Sequence, residues 1–159
     1  MADITHGVWI KDGKAVDKVF SNGRQVYGRN LIHDTSDTWN SETASGWGDL
    51  SFRVVNMTEP GMYTGNVYLK PDKKPVNILI QVTDSDGTYH NLFGSAVAGG
   101  SEGYSTLTVQ VAKGQTLKKV WITFSHSQND ATSVSWKKMK LEKGSVANPW
   151  TPAPEDILN

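Results

Sequence analysis

Six tryptophans and five tyrosines stand in a chain of 159 residues whose hydrophobic content is only 37%. Such rings either fill a core or, from a surface, stack on the flat apolar face of a ligand. Trp121 is the sharpest case. In the run from Lys119 to His126, Val120, Ile122 and Phe124 alternate toward an interior, which turns Trp121, Thr123 and Ser125 outward. The same period turns Tyr68 and Asn66 outward between Tyr63 and Lys70, and Asn77 and Gln81 outward between Val76 and Thr83. An outward indole or phenol among amides and hydroxyls is the minimal chemistry for a pyranose, whose C–H faces stack and whose hydroxyls need hydrogen-bond partners. The predicted stacking residues are Trp121, Tyr68 and Trp136 on one sheet, with Trp39 and Trp47 nearby. Asn66, Asn77, Gln81 and Thr123 supply polar contacts. The competing arrangement has Trp121 and Tyr68 covered by a loop or a neighbouring subunit.

The elements that position these groups read as strands. Leu50 to Val55 puts Leu50, Phe52 and Val54 on one face and Ser51 and Arg53 on the other. Tyr63, Val67 and Leu69, then Val76, Ile78, Ile80 and Val82, then Leu107, Val109 and Val111 form the interior faces of three further strands. In Ser133 to Glu142, Met139 and Leu141 face the core, and Val134 and Trp136 match their phase only if a bulge falls near Lys137-Lys138. Trp39 and Trp47 lie in the polar stretch Asp37 to Asp49, which reads as a loop. No ten-residue stretch carries a 3.6-residue apolar period. Turn signals every 8–12 residues therefore predict an all-β, two-sheet antiparallel sandwich of immunoglobulin or jelly-roll type.

Before it, residues 1–28 read as a short β-meander of strands Val8–Ile10, Ala15–Phe20 and Gln25–Tyr27, with a type I′ turn at Asn22-Gly23. Its apolar surface is too small to stand alone, so it is expected to pack on something else. Residues 29–148 form the sandwich. The proline-rich tail 149–159 cannot join a central ladder and is expected to cross the surface or lead onward, with Trp150 anchoring it.

Several function classes are disfavoured. Sixteen basic and sixteen acidic residues cancel, so no net field draws the chain to nucleic acid or an anionic membrane. The sequence contains no cysteine, which removes disulfides and thiolate sites. No signal peptide or apolar membrane span is visible. No nucleophile elbow, phosphate loop, zinc motif or dinucleotide fingerprint is present, so no catalytic residue is assigned and the chain is not expected to be an enzyme. His6, His33, His90 and His126 lack metal-ligand spacing. Asp84-Ser85-Asp86-Gly87 reads as a hairpin turn, because Ser95 stands where a calcium loop needs glutamate. No cofactor is expected, although an acidic pair with backbone carbonyls leaves a structural calcium ion open.

The sequence resembles a known module in Gly28-Arg29-Asn30-Leu31-Ile32, Tyr63-Thr64 and Lys70-Pro71. The most specific part is Lys138-Met139-Lys140-Leu141-Glu142-Lys143-Gly144-Ser145 with Pro149-Trp150-Thr151-Pro152-Ala153-Pro154-Glu155-Asp156. These segments are similar to the jelly-roll carbohydrate-binding module of tail and baseplate receptor-binding proteins from phages of Gram-positive bacteria. The resemblance covers residues 28–156. It implies a non-catalytic virion domain that adheres to host cell-wall polysaccharide or teichoic acid, with other tail and baseplate proteins as partners. The site residues come from alternation, not from the resemblance. The rival reading is a structural spacer whose outward aromatics are a protein interface. A polysaccharide depolymerase is a third, weakened by the absent carboxylate constellation.

Overall fold

The computed structural model describes residues 2–158; Met1 and Asn159, the outermost residues of the predicted meander and tail, lie outside them. The chain begins with strands β1 (Ala2–Thr5), β2 (Val8–Lys11) and β3 (Lys14–Ala15) in one small antiparallel sheet. Strands β4 (Lys18–Ser21) and β5 (Arg24–Gly28) pair as a separate hairpin. The turns between them are His6-Gly7, Asp12-Gly13 and Asn22-Gly23, and in each pair both residues have positive φ. That is the type I′ geometry whose twist suits a two-residue hairpin. The expected single strand over Ala15–Phe20 is broken, since Val16 already bonds the Trp9 carbonyl while Asp17 accepts from Arg29.

Two four-stranded antiparallel sheets follow, as expected of a jelly-roll sandwich. Their strands are β6 (Asn40–Gly46), β7 (Leu50–Met57), β8 (Gly61–Pro71), β9 (Val76–Thr83), β10 (Tyr89–Phe93), β11 (Gly103–Val111), β12 (Thr116–Phe124) and β13 (Gln128–Lys143). The first sheet has the order β10-β9-β12-β7 and the second β11-β8-β13-β6. Between them lie Val67, Leu69, Ile78, Ile80, Val82, Val109, Val120, Ile122, Val134, Met139 and Leu141, the inward sets that alternation predicts. Each such side chain contributes about 1.5–3 kcal/mol on leaving water. At Gly65 the sheets approach closely, because a Cβ there would stand 3.0 Å from the Cδ1 atoms of Ile78 and Ile80. A five-residue helix, α1 (Pro154–Leu158), ends the described chain. Among the described residues no helix is long and apolar enough to cross a membrane.

The bulge expected in β13 is present. Lys138 has φ 58° and pairing with β8 breaks between Lys137 and Lys140. Val134 and Trp136 therefore share the inner face with Met139 and Leu141. Two other features depart from expectation. The stretch around Thr43, read as a loop, contains edge strand β6, whose residues are mostly exposed and polar and of which only Ala44 packs on the core. In β7, Ser51 has φ 51° and pairing with β12 shifts between Val120 and Ile122. After that bulge Val55 and Met57 face inward, while Phe52 and Val54 are exposed instead of sharing Leu50's face.

The chain ends fold onto the outer face of the second sheet. Asn30 is the hub: its Oδ1 accepts from the amides of Ile32 at 3.1 Å and Leu141 at 3.2 Å. Its Nδ2 reaches the carbonyls of Met139 at 3.2 Å and Thr151 at 3.0 Å. Arg29 pairs with Glu155, and Trp150 donates its indole N–H to Thr35 at 3.1 Å. Beneath this clasp lie Lys140 and Glu142, both with side chains only 1% exposed.

Candidate functional site

Cross-strand register assembles one aromatic row on the outer face of the second sheet. Tyr104 of β11 pairs directly with Tyr68 of β8, and Tyr68 pairs with Lys137 of β13. Trp39 stands just before β6, whose first residue Asn40 pairs with Trp136. Three adjoining strands and the residue that leads into β6 thus bring Tyr104, Tyr68, Lys137 and Trp39 side by side. The ring centroids of Tyr68 and Tyr104 are 4.9 Å apart at 73°, and those of Trp39 and Tyr68 are 5.8 Å apart at 50°. Trp39 is 43% exposed and Tyr104 47%, so part of each ring is open to a ligand.

Beside the row, and sharing Trp39 with it, opens a cleft of about 550 Å3 lined by Ser41, Lys70, Asp72, Gly100, Ser101, Glu102, Ser133 and Ser135. Ser41, Ser133 and Ser135 belong to a hydroxyl ladder: Ser41 and Ser135 approach to 2.7 Å, and Ser133 lies 3.2 Å from Thr43 just outside the cleft. Each hydroxyl retains lone pairs for a further partner. The Tyr68 phenol is pushed above its ordinary value, first by loss of hydration and then by the neighbouring Glu102 carboxylate. It stays a neutral donor. Asn66, a predicted polar contact, lies beside the row with its Oδ1 accepting from Thr106 at 2.7 Å.

One wall of the cleft depends on a glycine. A Cβ on Gly99 would overlap the Lys73 carbonyl, and the next amide, Gly100, donates to the Pro71 carbonyl at 2.9 Å. Gly99→Ala must push the segment 94–102 off the β8–β9 turn and is expected to cost about 1–3 kcal/mol. Gly103→Ala, where a Cβ would meet nothing within 4 Å, should change stability by less than about 0.5 kcal/mol. Equal urea midpoints for the two variants would contradict this account.

The opposite sheet carries a smaller groove of about 270 Å3 lined by Trp47, Asp49, Leu79, Asn91, Phe93, Trp121 and Thr123. Trp121 does lie outside the central core, as alternation requires, but its ring does not face water: it is 7% exposed. The β7 bulge brings Phe52 onto it, with centroids 4.9 Å apart at 32°, and its indole N–H donates to Asp49 at 3.0 Å. The predicted set is therefore divided. Tyr68, Trp39 and Asn66 stand on one outer face, Trp121, Trp47 and Gln81 on the other, and Trp136 faces inward against the core. Thr123 donates to the Trp47 carbonyl at 2.6 Å, and Asn77 donates to the Gly94 carbonyl at 3.3 Å while accepting from Ser125 at 3.2 Å. Those two are buried and already partnered. Gln81 donates to Asn91 at 3.1 Å.

Sequence reasoning missed Tyr104 and Lys137. Extending the Thr106–Val111 alternation back by two residues would have put Tyr104 on the outer face beside Thr106 and Thr108. Asp84 is a turn residue: it accepts from His90 at 2.9 Å and Gln115 at 2.8 Å, and these hydrogen bonds, His90 first, hold its carboxyl below the usual range. Among the described residues no group of three or more His, Cys, Asp or Glu is placed to hold a metal ion.

No family model and no curated protein sequence matches the chain. Solved structures do. The C-terminal family 22 carbohydrate binding module of Clostridium thermocellum xylanase 10B matches at TM-score 0.51 and 10% identity, over 77% of this chain and 97% of that one. The CBM22-1–GH10 modules of the same organism's xylanase 10B, complexed with xylohexaose, match at TM-score 0.51 and 10% identity over 73% of this chain. This chain spans 29% of that structure's length. The tripod from the baseplate of bacteriophage Tuc2009 matches at TM-score 0.49 and 14% identity, over 80% of this chain and 59% of that one. The architecture of the present chain is similar to that of family 22 carbohydrate-binding modules.

Proposed function

We propose that this chain is a non-catalytic carbohydrate-binding module of a phage tail or baseplate protein, and that it adheres to host cell-wall polysaccharide. The observation that carries the reading is the row Tyr104–Tyr68–Trp39 beside a hydroxyl-lined cleft, which offers stacking faces and hydrogen-bond partners together. The fold likeness to carbohydrate-binding modules supports it, and the resemblance of residues 138–156 to phage tail modules supports the virion setting. The sequence reading centred on Trp121; the exposed rings shift the centre to Tyr68 and its neighbours. A single shallow site of this kind binds near millimolar, about −4 kcal/mol. Copies displayed together convert that into firm adhesion through effective concentration.

Retention of a fluorescent fusion on host walls tests the assignment. Tyr68→Ala and Tyr104→Ala should each weaken retention about tenfold, the loss of roughly 1.4 kcal/mol of stacking. Unchanged retention in the double variant would remove the site. Release of new reducing ends from wall polysaccharide would instead make the chain a depolymerase.

A second reading, a structural spacer, is favoured by one observation: Phe52, Val54, Leu92 and Phe93 are exposed on the first sheet. Light scattering after size exclusion separates the two. A monomer that retains polysaccharide supports the module, and a stable oligomer that retains none supports the spacer.

A further inference from the structure

We infer that the ligand of the Tyr104–Tyr68–Trp39 row carries fixed negative charge, as a carboxylate or a phosphate on the sugar or its linker. The inference rests on the saccharide reading and names the class of saccharide.

Strand β13 makes the case by contrast. Its lysines Lys138, Lys140 and Lys143 each face a carboxylate, at 3.7 Å, 3.6 Å and 2.7 Å. Lys137 has no ion pair among the described residues; its ammonium instead lies 4.5 Å from the Trp39 centroid and 5.6 Å from that of Tyr68. Lys70, one strand over, is likewise unpaired and 6.0 Å from Trp39. Two cations without anions thus converge on one ring, in the row that a sugar would stack on. A cation held against an aromatic face is partly stripped of water and keeps its charge directed at whatever occupies the neighbouring space.

Two carboxylates, Asp72 and Glu102, share the cleft, but they sit outside the strands, and neither forms an ion pair with Lys70 or Lys137. The cations lie on the sheet itself. A ring stacked on Tyr68 and Tyr104 would therefore place an acidic substituent against Lys137 and Lys70. The chain's net charge is +0, so a preference for anionic glycans cannot arise from general attraction.

The test is an array carrying neutral xylan, polygalacturonate, its methyl ester and a poly(glycerol phosphate), probed with the full chain at low and at moderate salt. Polygalacturonate or poly(glycerol phosphate) should bind about tenfold more tightly than the neutral polymers, and salt should erode that margin. Which of the two leads separates carboxylate from phosphate. Lys137→Met, which keeps the apolar stem over Trp39, should abolish the margin and its salt dependence while leaving the melting temperature unchanged. If that variant fails to fold, Lys70→Met is read in its place. Equal binding of neutral and acidic polymers overturns the charge assignment and leaves the saccharide reading standing. Binding to none of them overturns both.

Discussion

Glu142→Ala is expected to lower the free energy of unfolding by about 3–5 kcal/mol, because it strands a buried ammonium. Against a typical total of about 5–15 kcal/mol, that is a large fraction. The carboxylate stands 3.6 Å from Lys140, with both side chains 1% exposed. It also accepts the Asn148 backbone amide at 3.1 Å and its side-chain amide at 2.6 Å. Lys140 donates to the Pro149 carbonyl at 2.8 Å and lies 5.7 Å from the Tyr27 ring. Even Gly28 is part of the arrangement, since a Cβ there would overlap the carboxylate. The paired change Lys140→Met with Glu142→Gln removes both charges and should recover much of the loss. A urea midpoint for the double variant below that of Glu142→Ala would show that the pair is not coupled in this way.

The same pair sets a pH dependence. Burial pushes the Glu142 carboxyl above its ordinary 4.5, against the opposing pull of Lys140, and burial pushes the Lys140 ammonium down. A carboxyl with a raised pKa in the folded state takes up its proton there before the unfolded chain does. Its contribution to stability is complete below 4.5 and is lost as pH rises through the raised value. The stability of the natural chain relative to Glu142→Gln should therefore fall across that interval. A constant difference would contradict the assigned direction.

Trp121→Ala is the second large effect, about 3–5 kcal/mol of stability, with retention on polysaccharide unchanged. The indole is packed against Phe52 and Leu79 and tied to Asp49, so its deletion opens a hole beneath the first sheet's outer surface. Trp121→Phe keeps most of the volume and should cost less than half as much. A Trp121→Ala protein with an unaltered melting temperature and weakened retention would return the binding site to this face.

These two positions also show what could be read from sequence. Alternation gave the inward faces of β8, β9, β11 and β12, and the conflict of phase between Val134-Trp136 and Met139-Leu141 gave the β13 bulge. The β7 bulge was not legible. Its positive-φ residue is a serine, with no glycine or asparagine to announce it, so Phe52 was assigned the wrong face and Trp121 lost its cover. Lys140 and Glu142 alternate like solvated charges; Tyr27 and Gly28 of β5 together with the returning Asn148 and Pro149 bury them. β6 escaped notice because an edge strand of Ser and Thr carries no apolar period. The aromatic row needed the pairing of Tyr104 with Tyr68 and of Tyr68 with Lys137, a register that a single sequence does not contain.

Strand β13 is where two mechanical demands meet. Tension applied to residues 149–158 enters it through the Lys140–Pro149 and Glu142–Asn148 bonds. Its other half holds Ser133, Ser135 and Lys137, where a bound polymer would tug. Under the proposed function, resistance to tearing and grip on the polymer share one strand, β13, and a substitution that slackens either half should show itself in the pulling force that the other withstands.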